Sequence, residues 1–395
     1  MSKIAVLAFS GGLDTSYCAK YYSKEKGLNI HSVIINTGGF SEQELKEIEK
    51  RAHALGVSKH VCIDISLEYY KKCIRYMIYG NILKNNTYPL SVSSERIFQA
   101  MALAKYARDV DAGFIIHGST GAGNDQVRFD LAFQVICPDI EILTPVRDEK
   151  LTREYEIQYL KDNGIEFDFK KAEYSINQGL WGTSIGGKET LKSALTIPES
   201  AYPSQLEATE PMTIELEFDK GEVIALQGVI YKDPLDVIQE LNAIASKYAI
   251  GRGMHVGDTI IGIKGRVAFE AAGPMIIIKA HHQLEKHNLT KWQLYWKEQL
   301  ANWYGMLLHE AQYQEPVMRN IEKFLEDTQT HICGKVFIKL YPYNFDVIGI
   351  DSKYDMMQAK FAQYGEMNTA FSGEDVKGFT KILSNQIKLY NSVED

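Results

Sequence analysis

The chain has 395 residues, more than one ordinary domain holds, and its 45% hydrophobic and 24% charged content is that of a folded globular protein. A net charge of −8 at pH 7 argues against a general nucleic-acid or anionic-membrane surface, which needs a basic excess. Five cysteines, Cys18, Cys62, Cys73, Cys137 and Cys333, show no C-x-x-C pair, which excludes a disulfide framework and a zinc ribbon and leaves reduced thiols, mostly in the core.

The chain opens with an apolar run, Ile4 to Leu7; even extended to Phe9 it is too short for a signal peptide, and no stretch approaches membrane-spanning length, so a cytoplasmic protein without membrane contact is expected. The run leads into Ala8-Phe9-Ser10-Gly11-Gly12-Leu13-Asp14-Thr15-Ser16, which the pattern predicts as strand end, glycine turn and helix start. Free N–H groups and the positive end of a helix dipole then face the turn, and an anion is the natural occupant. Ser10, Thr15 and Ser16 add hydroxyl donors, while Asp14 would repel phosphate unless a cation holds its charge, so a triphosphate with Mg²⁺ satisfies both. The loop lacks the lysine of a P-loop and resembles the Ser-Gly-Gly-x-Asp-Ser/Thr loop of ATP-pyrophosphatases. An ordinary glycine-rich connection in an α/β fold is the alternative.

A helix from Thr15 to Lys26 closed by Gly27 follows, then a strand from His31 to Asn36. Ser41 to Glu44 is a capping box opening a helix that Gly56 closes. Val61 to Ile65 is a strand, Leu67 to Tyr79 and Ser94 to Arg108 are helices, and Gly113 to His117 is a strand. This alternation predicts a parallel, doubly wound α/β sheet over residues 1–165, with ligands at the carboxyl ends of its strands. From residue 166 an α+β domain is expected, reaching to 365. It comprises antiparallel strands at Thr213 to Phe218 and Val223 to Ile230, a helix at Asp236 to Tyr248, a short buried strand at Met275 to Ile278, and helices at Lys291 to Leu308 and Pro316 to Leu325. An amphipathic helix at Gly378 to Tyr390, within residues 366–395, is either an arm for another subunit or a helix docked on its own core.

Gly118 to Phe129 packs three glycines, two amides, a carboxylate and an arginine into what reads as one strand-end loop. Asn124 and Asp125 suit an ammonium or amide, Thr120 and the glycine amides a carboxylate, and Arg128 a carboxylate through its planar fork. A zwitterionic amino acid presents both kinds of group; a plain turn with Arg128 on a solvated face is the alternative.

With these two stretches, Ala8 to Ser16 and His117 to Phe129, the sequence resembles the argininosuccinate synthases, and the likeness continues through Gly262-Ile263-Lys264-Gly265-Arg266. The resemblance implies an AMP-forming ligase in arginine biosynthesis: citrulline is adenylated by ATP, and aspartate then displaces AMP. It implies ATP contacts at Ala8, Phe9, Ser10, Gly11, Gly12, Leu13, Asp14, Thr15, Ser16, Ile35 and Gly118, with Mg²⁺ alongside. Thr120, Asn124 and Asp125 would hold aspartate, and Tyr88, Ser93, Asn124, Arg128, Ser175 and Ser184 citrulline. Ser10, Asp14 and Asp125 are the candidate catalytic groups, no protein metal site is expected, and a homotetramer is. Tyr88, Ser93, Ser175 and Ser184 are expected on loops.

Three positions depart from the family pattern. Ala122 stands where the family has a lysine, and Gly257 and Phe269 stand where it has a glutamate and a tyrosine that help hold citrulline. Either Asp258 replaces the glutamate, or the space freed at Gly257 admits an N-acylated citrulline. A nucleotide-binding module without turnover is a reading of another class. A tRNA-modifying enzyme would show paired cysteines and a basic face, and neither is present.

Overall fold

The computed structural model describes residues 3–121, 123–165, 174–362, 364–365 and 368–393. Ala122 and the expected boundaries at 165/166 and 365/366 lie in or against segments outside these. The amino-terminal half alternates strand and helix: β1 (Ile4–Ala8), α1 (Leu13–Lys24), β2 (Asn29–Asn36), α2 (Glu42–Ala54), β3 (Lys59–Asp64), α3 (Ser66–Tyr69), α4 (Arg75–Tyr79), α5 (Ser91–Asp109), β4 (Phe114–Ile116), α6 (Asp125–Ile136), β5 (Glu141–Leu143), α7 (Pro145–Asp148) and α8 (Arg153–Asp162). The helix expected from Leu67 to Tyr79 is α3 and α4 joined by a π-helical turn, Tyr70–Ile74.

The five strands form one parallel sheet in the order β3-β2-β1-β4-β5, so the chain reverses its winding between β1 and β4. Strand alternation fixes the two faces. Ala5 and Leu7 enter a core beneath α1, α2 and α8, while Val6 enters the larger core shared with α5 and the rest of the chain. The carboxyl-end crevice of such a sheet lies at this switch point, which places the loops at Ser10 and Gly118 side by side.

The second half is α+β. A hairpin of β6 (Ser175–Gly179) and β7 (Gly182–Gly186) is followed by β8 (Met212–Asp219), β9 (Glu222–Leu226), β10 (Val229–Ile230), α9 (Pro234–Ser246), β11 (Arg252–Asp258) and β12 (Lys264–Glu270). Then come α10 (Ala272–Asn288), α11 (Lys291–His309), α12 (Pro316–Thr328), β13 (Gly334–Tyr341), β14 (Asn344–Asp351), α13 (Gly373–Leu383) and α14 (Asn385–Asn391). One antiparallel sheet runs β10-β9-β8-β13-β14 and another β11-β12-β7-β6.

Several expectations change here. Met275 to Ile278 is helical, inside α10: its buried positions continue through Ala280, His281 and Leu284 at helical spacing, and Pro274 sits in the first turn, where its missing N–H costs nothing. The expected Val223 to Ile230 strand folds back at Gln227 and Gly228 into β9 and β10. Gly118 to Phe129 is a loop only as far as Asn124, because α6 begins at Asp125. Ser93 lies in the first turn of α5, and Ser175 and Ser184 lie on strands that pair with each other's neighbours. Of the four, only Tyr88 is outside a regular element, in an isolated bridge with Lys84. The single helix expected at the end is two, α13 and α14, with no buried residue in either.

Candidate functional site

The loop after β1 is shaped by glycine. Gly11 takes φ +75°, a left-handed conformation that a side chain resists. Its carbonyl accepts a hydrogen bond from Arg51 Nη1 of α2. Gly12 then caps α1 without using a side chain, which leaves the first helical N–H groups turned outward. Thr15 Oγ1 lies 3.3 Å from the Gly12 carbonyl and 3.5 Å from Ser10 Oγ. Gly118 is required for packing: a Cβ there would stand 3.0 Å from the backbone carbon and the Cβ of Asp14.

Between these loops opens a cavity of about 780 Å³. Ala8, Phe9, Ser10, Gly12, Asp14, Thr15, Ile35 and Gly118 line it from the side of the β1 loop. Thr120, Asn124, Asp125, Arg128 and Ser175 line it opposite. Gly11, Leu13 and Ser16 stand behind the wall: Leu13 packs into the core under α1, and Ser16 is fully buried. A smaller chamber of about 200 Å³ continues from the first, and Tyr88, Ser93 and Ser184 line it. Arg96, Asn124, Asp125, Arg128 and Asn177 border both.

Asp125 is the electrostatic centre of this border. Arg96 Nε approaches one of its oxygens at 3.1 Å and Arg128 Nη1 the other at 2.9 Å. Burial alone would raise the Asp125 carboxyl, but the two guanidinium groups outweigh it and hold it below the ordinary carboxylate range. Arg96 also donates to Gln99 Oε1 at 2.8 Å and to Asn177 Oδ1 at 3.1 Å. Arg128 is buried, and its Nε and Nη2 donate to the His309 carbonyl at the end of α11 at 3.1 and 3.0 Å. The solvated-face alternative for Arg128 is therefore wrong. Asn124 Oδ1 accepts from the Ile260 amide at 2.9 Å, tying the loop to the β11–β12 turn.

Behind the loop, the Ser119 amide donates to His117 Nδ1 at 3.2 Å, so Nε2 carries the proton given to Asp130 at 2.9 Å. Arg147 Nη1 holds the other Asp130 oxygen at 2.6 Å. On the far side of the glycine loop, Glu156 of α8 is 1% exposed with its Oε2 unpartnered. Burial first, and the neighbouring Asp14 charge second, push the Glu156 carboxyl up to about 8.

The departures have clear geometry. Gly257 lines the small chamber, and in the direction a Cβ would take, His255 Nε2 lies 2.6 Å away. His255 stacks on Tyr88 at 5.3 Å, and burial, then Lys84, keep its imidazole neutral. Phe269 is buried against Tyr88 at 5.4 Å. Asp258 is side-chain exposed and paired with Lys264 at 2.6 Å across the β11–β12 hairpin.

Arg96, Glu95, Glu156, Asn177, His255 and His309 escaped the sequence reading. Arg96 is masked by the apolar periodicity of its helix; Asn177 was within reach, in a polar run between Ser175 and the buried Leu180-Trp181 pair.

The chain is similar to known proteins along almost its whole length. Residues 4–166 match the family model described as the arginosuccinate synthase N-terminal HUP domain, and residues 174–390 match the arginosuccinate synthase C-terminal domain. The argininosuccinate synthase of Dictyoglomus turgidum is 38% identical over 387 residues, 98% of this chain and 96% of that one. Those of Methanocaldococcus jannaschii and Xanthomonas campestris are each 35% identical, covering 99% of this chain and 98% and 99% of their own. A glycine loop at a sheet switch point, a two-chambered cleft and full-length likeness to these proteins lead to one conclusion: this chain belongs to the argininosuccinate synthase family.

Proposed function

We propose that the cleft binds ATP against the β1 loop and citrulline and aspartate across the Asp125 border, and joins the two amino acids into argininosuccinate, as the family does. The observation that carries this is the continuity of the two chambers through Asp125, Arg128 and Asn124. The ureido oxygen of citrulline attacks the α-phosphorus of ATP, pyrophosphate leaves along the glycine loop, and the aspartate amine then displaces AMP. The outward N–H groups of α1, Ser10 and Thr15 meet the phosphate charge, so catalysis is positioning and electrostatics, with no protein nucleophile. Asp125, held ionised by its two arginines, keeps that guanidinium pair fixed at the border between the chambers.

Mg²⁺ suits the residues present. Asp14 lines the cavity with the Glu156 carboxyl beside it, and among the described residues no cluster of three or more His, Cys, Asp or Glu forms a closed cage. A hard cation of this kind takes one or two carboxylates and completes its shell with phosphate oxygens and water. When bound it would supply charge neutralisation at the phosphates, and Asp14 is the residue that would hold it.

One observation favours a second reading, in which the acceptor is an N-acylated citrulline. Asp125 is shared by two arginines and Asp258 is paired with Lys264, so both carboxylates bordering the small chamber are engaged. A free α-ammonium there would need to displace a pair, and an unpaired charge costs about 1–3 kcal/mol or more. Pyrophosphate release is measured with aspartate and citrulline, N-acetylcitrulline or N-succinylcitrulline. Citrulline is expected to win, and Asp258→Asn to leave that preference within about twofold, the range of an exposed pair. A large loss with Asp258→Asn would make Asp258 the stand-in carboxylate. A large preference for an acylated form would establish the second reading.

Among the described residues no helix is long and apolar enough to cross a membrane. The carboxy-terminal helices instead carry Phe379, Ile382, Leu383, Ile387 and Leu389, all more than 60% exposed. We read α13 and α14 as an oligomerisation arm of a homotetramer, since so much apolar surface is rarely left uncovered. Removal of residues 366–395 is expected to lower the number of subunits per particle in sedimentation; an unchanged subunit number refutes the arm.

A further inference from the structure

Glu95, on the second turn of α5, is 1% exposed yet belongs to the wall of the main cavity. Thr37 Oγ1, from the loop after β2, donates to its Oε2 at 3.1 Å, while its Oε1 closes no hydrogen bond of good geometry, the Leu180 amide standing beside the carboxyl. Room for Oε1 exists because position 179 is glycine: a Cβ there would lie 2.0 Å from it. Next to this contact, a Cβ on Gly39 would lie 2.8 Å from Gly179 Cα and 2.9 Å from the Gln178 carbonyl. Three pieces of chain thus meet at bare backbone with one carboxyl wedged between them. The loop after β2 follows Ile35 on the nucleotide side, and the hairpin carries Ser175, Asn177 and Ser184 on the acceptor side.

We propose that Glu95 is a positioning residue that clamps the β6–β7 hairpin to the loop after β2 and so sets the distance between the acceptor and nucleotide halves of the cleft. This rests on the reading of that cleft given above. The clamp works as a neutral acid. Burial pushes the Glu95 carboxyl up to about 8, against the opposing pull of Arg96, the Thr37 hydroxyl and the Leu180 amide. Arg96, on the same helix, is committed to Asp125. Tyr69 and Cys73, the titratable groups facing it from the helices behind, are kept neutral by their own burial. Residues 37–39 and 178–180 bring no charge. Above pH 8 the carboxylate forms against the bare backbone of Gly179, and the hairpin draws back as the charge takes up water from the cavity.

Two measurements test this. The first is the acceptor KM from about pH 6.5 to 9.5 in wild type and Glu95→Gln. Wild type is expected to lose roughly tenfold in acceptor affinity one unit above the Glu95 pKa, with kcat changed less. Glu95→Gln, neutral at every pH and of the same shape, is expected to match wild type at pH 7 and to keep a flat KM. A Glu95→Gln profile that tracks wild type overturns the proposal. The second is a thermal-melting cycle of Glu95→Ala, Gly179→Ala and the double variant, which needs no activity. The methyl at 179 is expected to destabilise the wild type and to be largely tolerated once the carboxyl is gone; additive shifts overturn the clamp. If wild type releases no pyrophosphate with any citrulline, the reading of the cleft falls, while the melting cycle still decides Glu95.

Discussion

Gly12→Ala and Asp14→Asn are each expected to abolish pyrophosphate release, by about 10²-fold or more, while circular dichroism shows an intact fold. The two act differently. At Gly12 the backbone is extended, and an added Cβ meets nothing closer than Ser10 Oγ at 3.5 Å, so the protein itself accommodates the methyl. Lost turnover then reports what the methyl displaces, a phosphate against the backbone. Wild-type turnover in soluble Gly12→Ala would remove the phosphate-loop assignment. Asp14→Asn removes the charge that would hold the cation, and it also removes one of the influences that raise Glu156. Glu156 binds a proton in the folded state between its ordinary value of 4.5 and about 8, so its contribution to stability falls as pH rises through that window. With asparagine at 14 the window narrows, and the variant is expected to melt no lower than wild type at pH 8. A variant both inactive and clearly less stable would make Asp14 a structural residue.

Arg128→Lys is expected to raise the KM for the citrulline-like substrate roughly tenfold or more, with the KM for ATP little changed. The guanidinium spends one edge on Asp125 and its Nε and Nη2 on the His309 carbonyl. An ammonium cannot hold that fork. A charge-assisted contact of this kind is worth about 1.5–3 kcal/mol, and losing it frees Asp125 and the end of α11 together. Part of the loss is expected in melting temperature. Unchanged KM for all three substrates would show that Arg128 serves only to join α6 to α11.

The parallel sheet was legible because its strands and helices carry distinct periods and clear caps, such as Ser41 with Glu44, whose reciprocal bonds of 3.3 and 2.8 Å are present. The glycine loop was legible because few structures need Ser-Gly-Gly-x-Asp at a strand end. Met275 to Ile278 misled because a four-residue buried run looks the same as strand or helix until its continuation is counted. β13 was legible and passed over: Val336, Ile338 and Leu340 alternate inward while Lys335 and Lys339 face out, Lys335 pairing with Glu215 of β8. His255 shows the limit at the site: Gly257 looked like an opening, and only the structure shows that a side chain two residues earlier on the same strand face stands where a Cβ would point.

The pairing of β8 with β13 has a consequence for biosynthesis. Leu216 lies opposite Val336, so a long stretch of chain must emerge before the central pair of that sheet can form. The parallel sheet, by contrast, is complete in pairing once β5 ends at Leu143. Yet Tyr76, Tyr79, Ile82 and Leu90 belong to the same core as Tyr304, Leu308 and Leu340. On the ribosome the nascent amino-terminal half would fold its sheet early and then wait, aromatic face bare, for partners made last. An apolar face left uncovered through that interval is the cost of building one core from two ends of the chain.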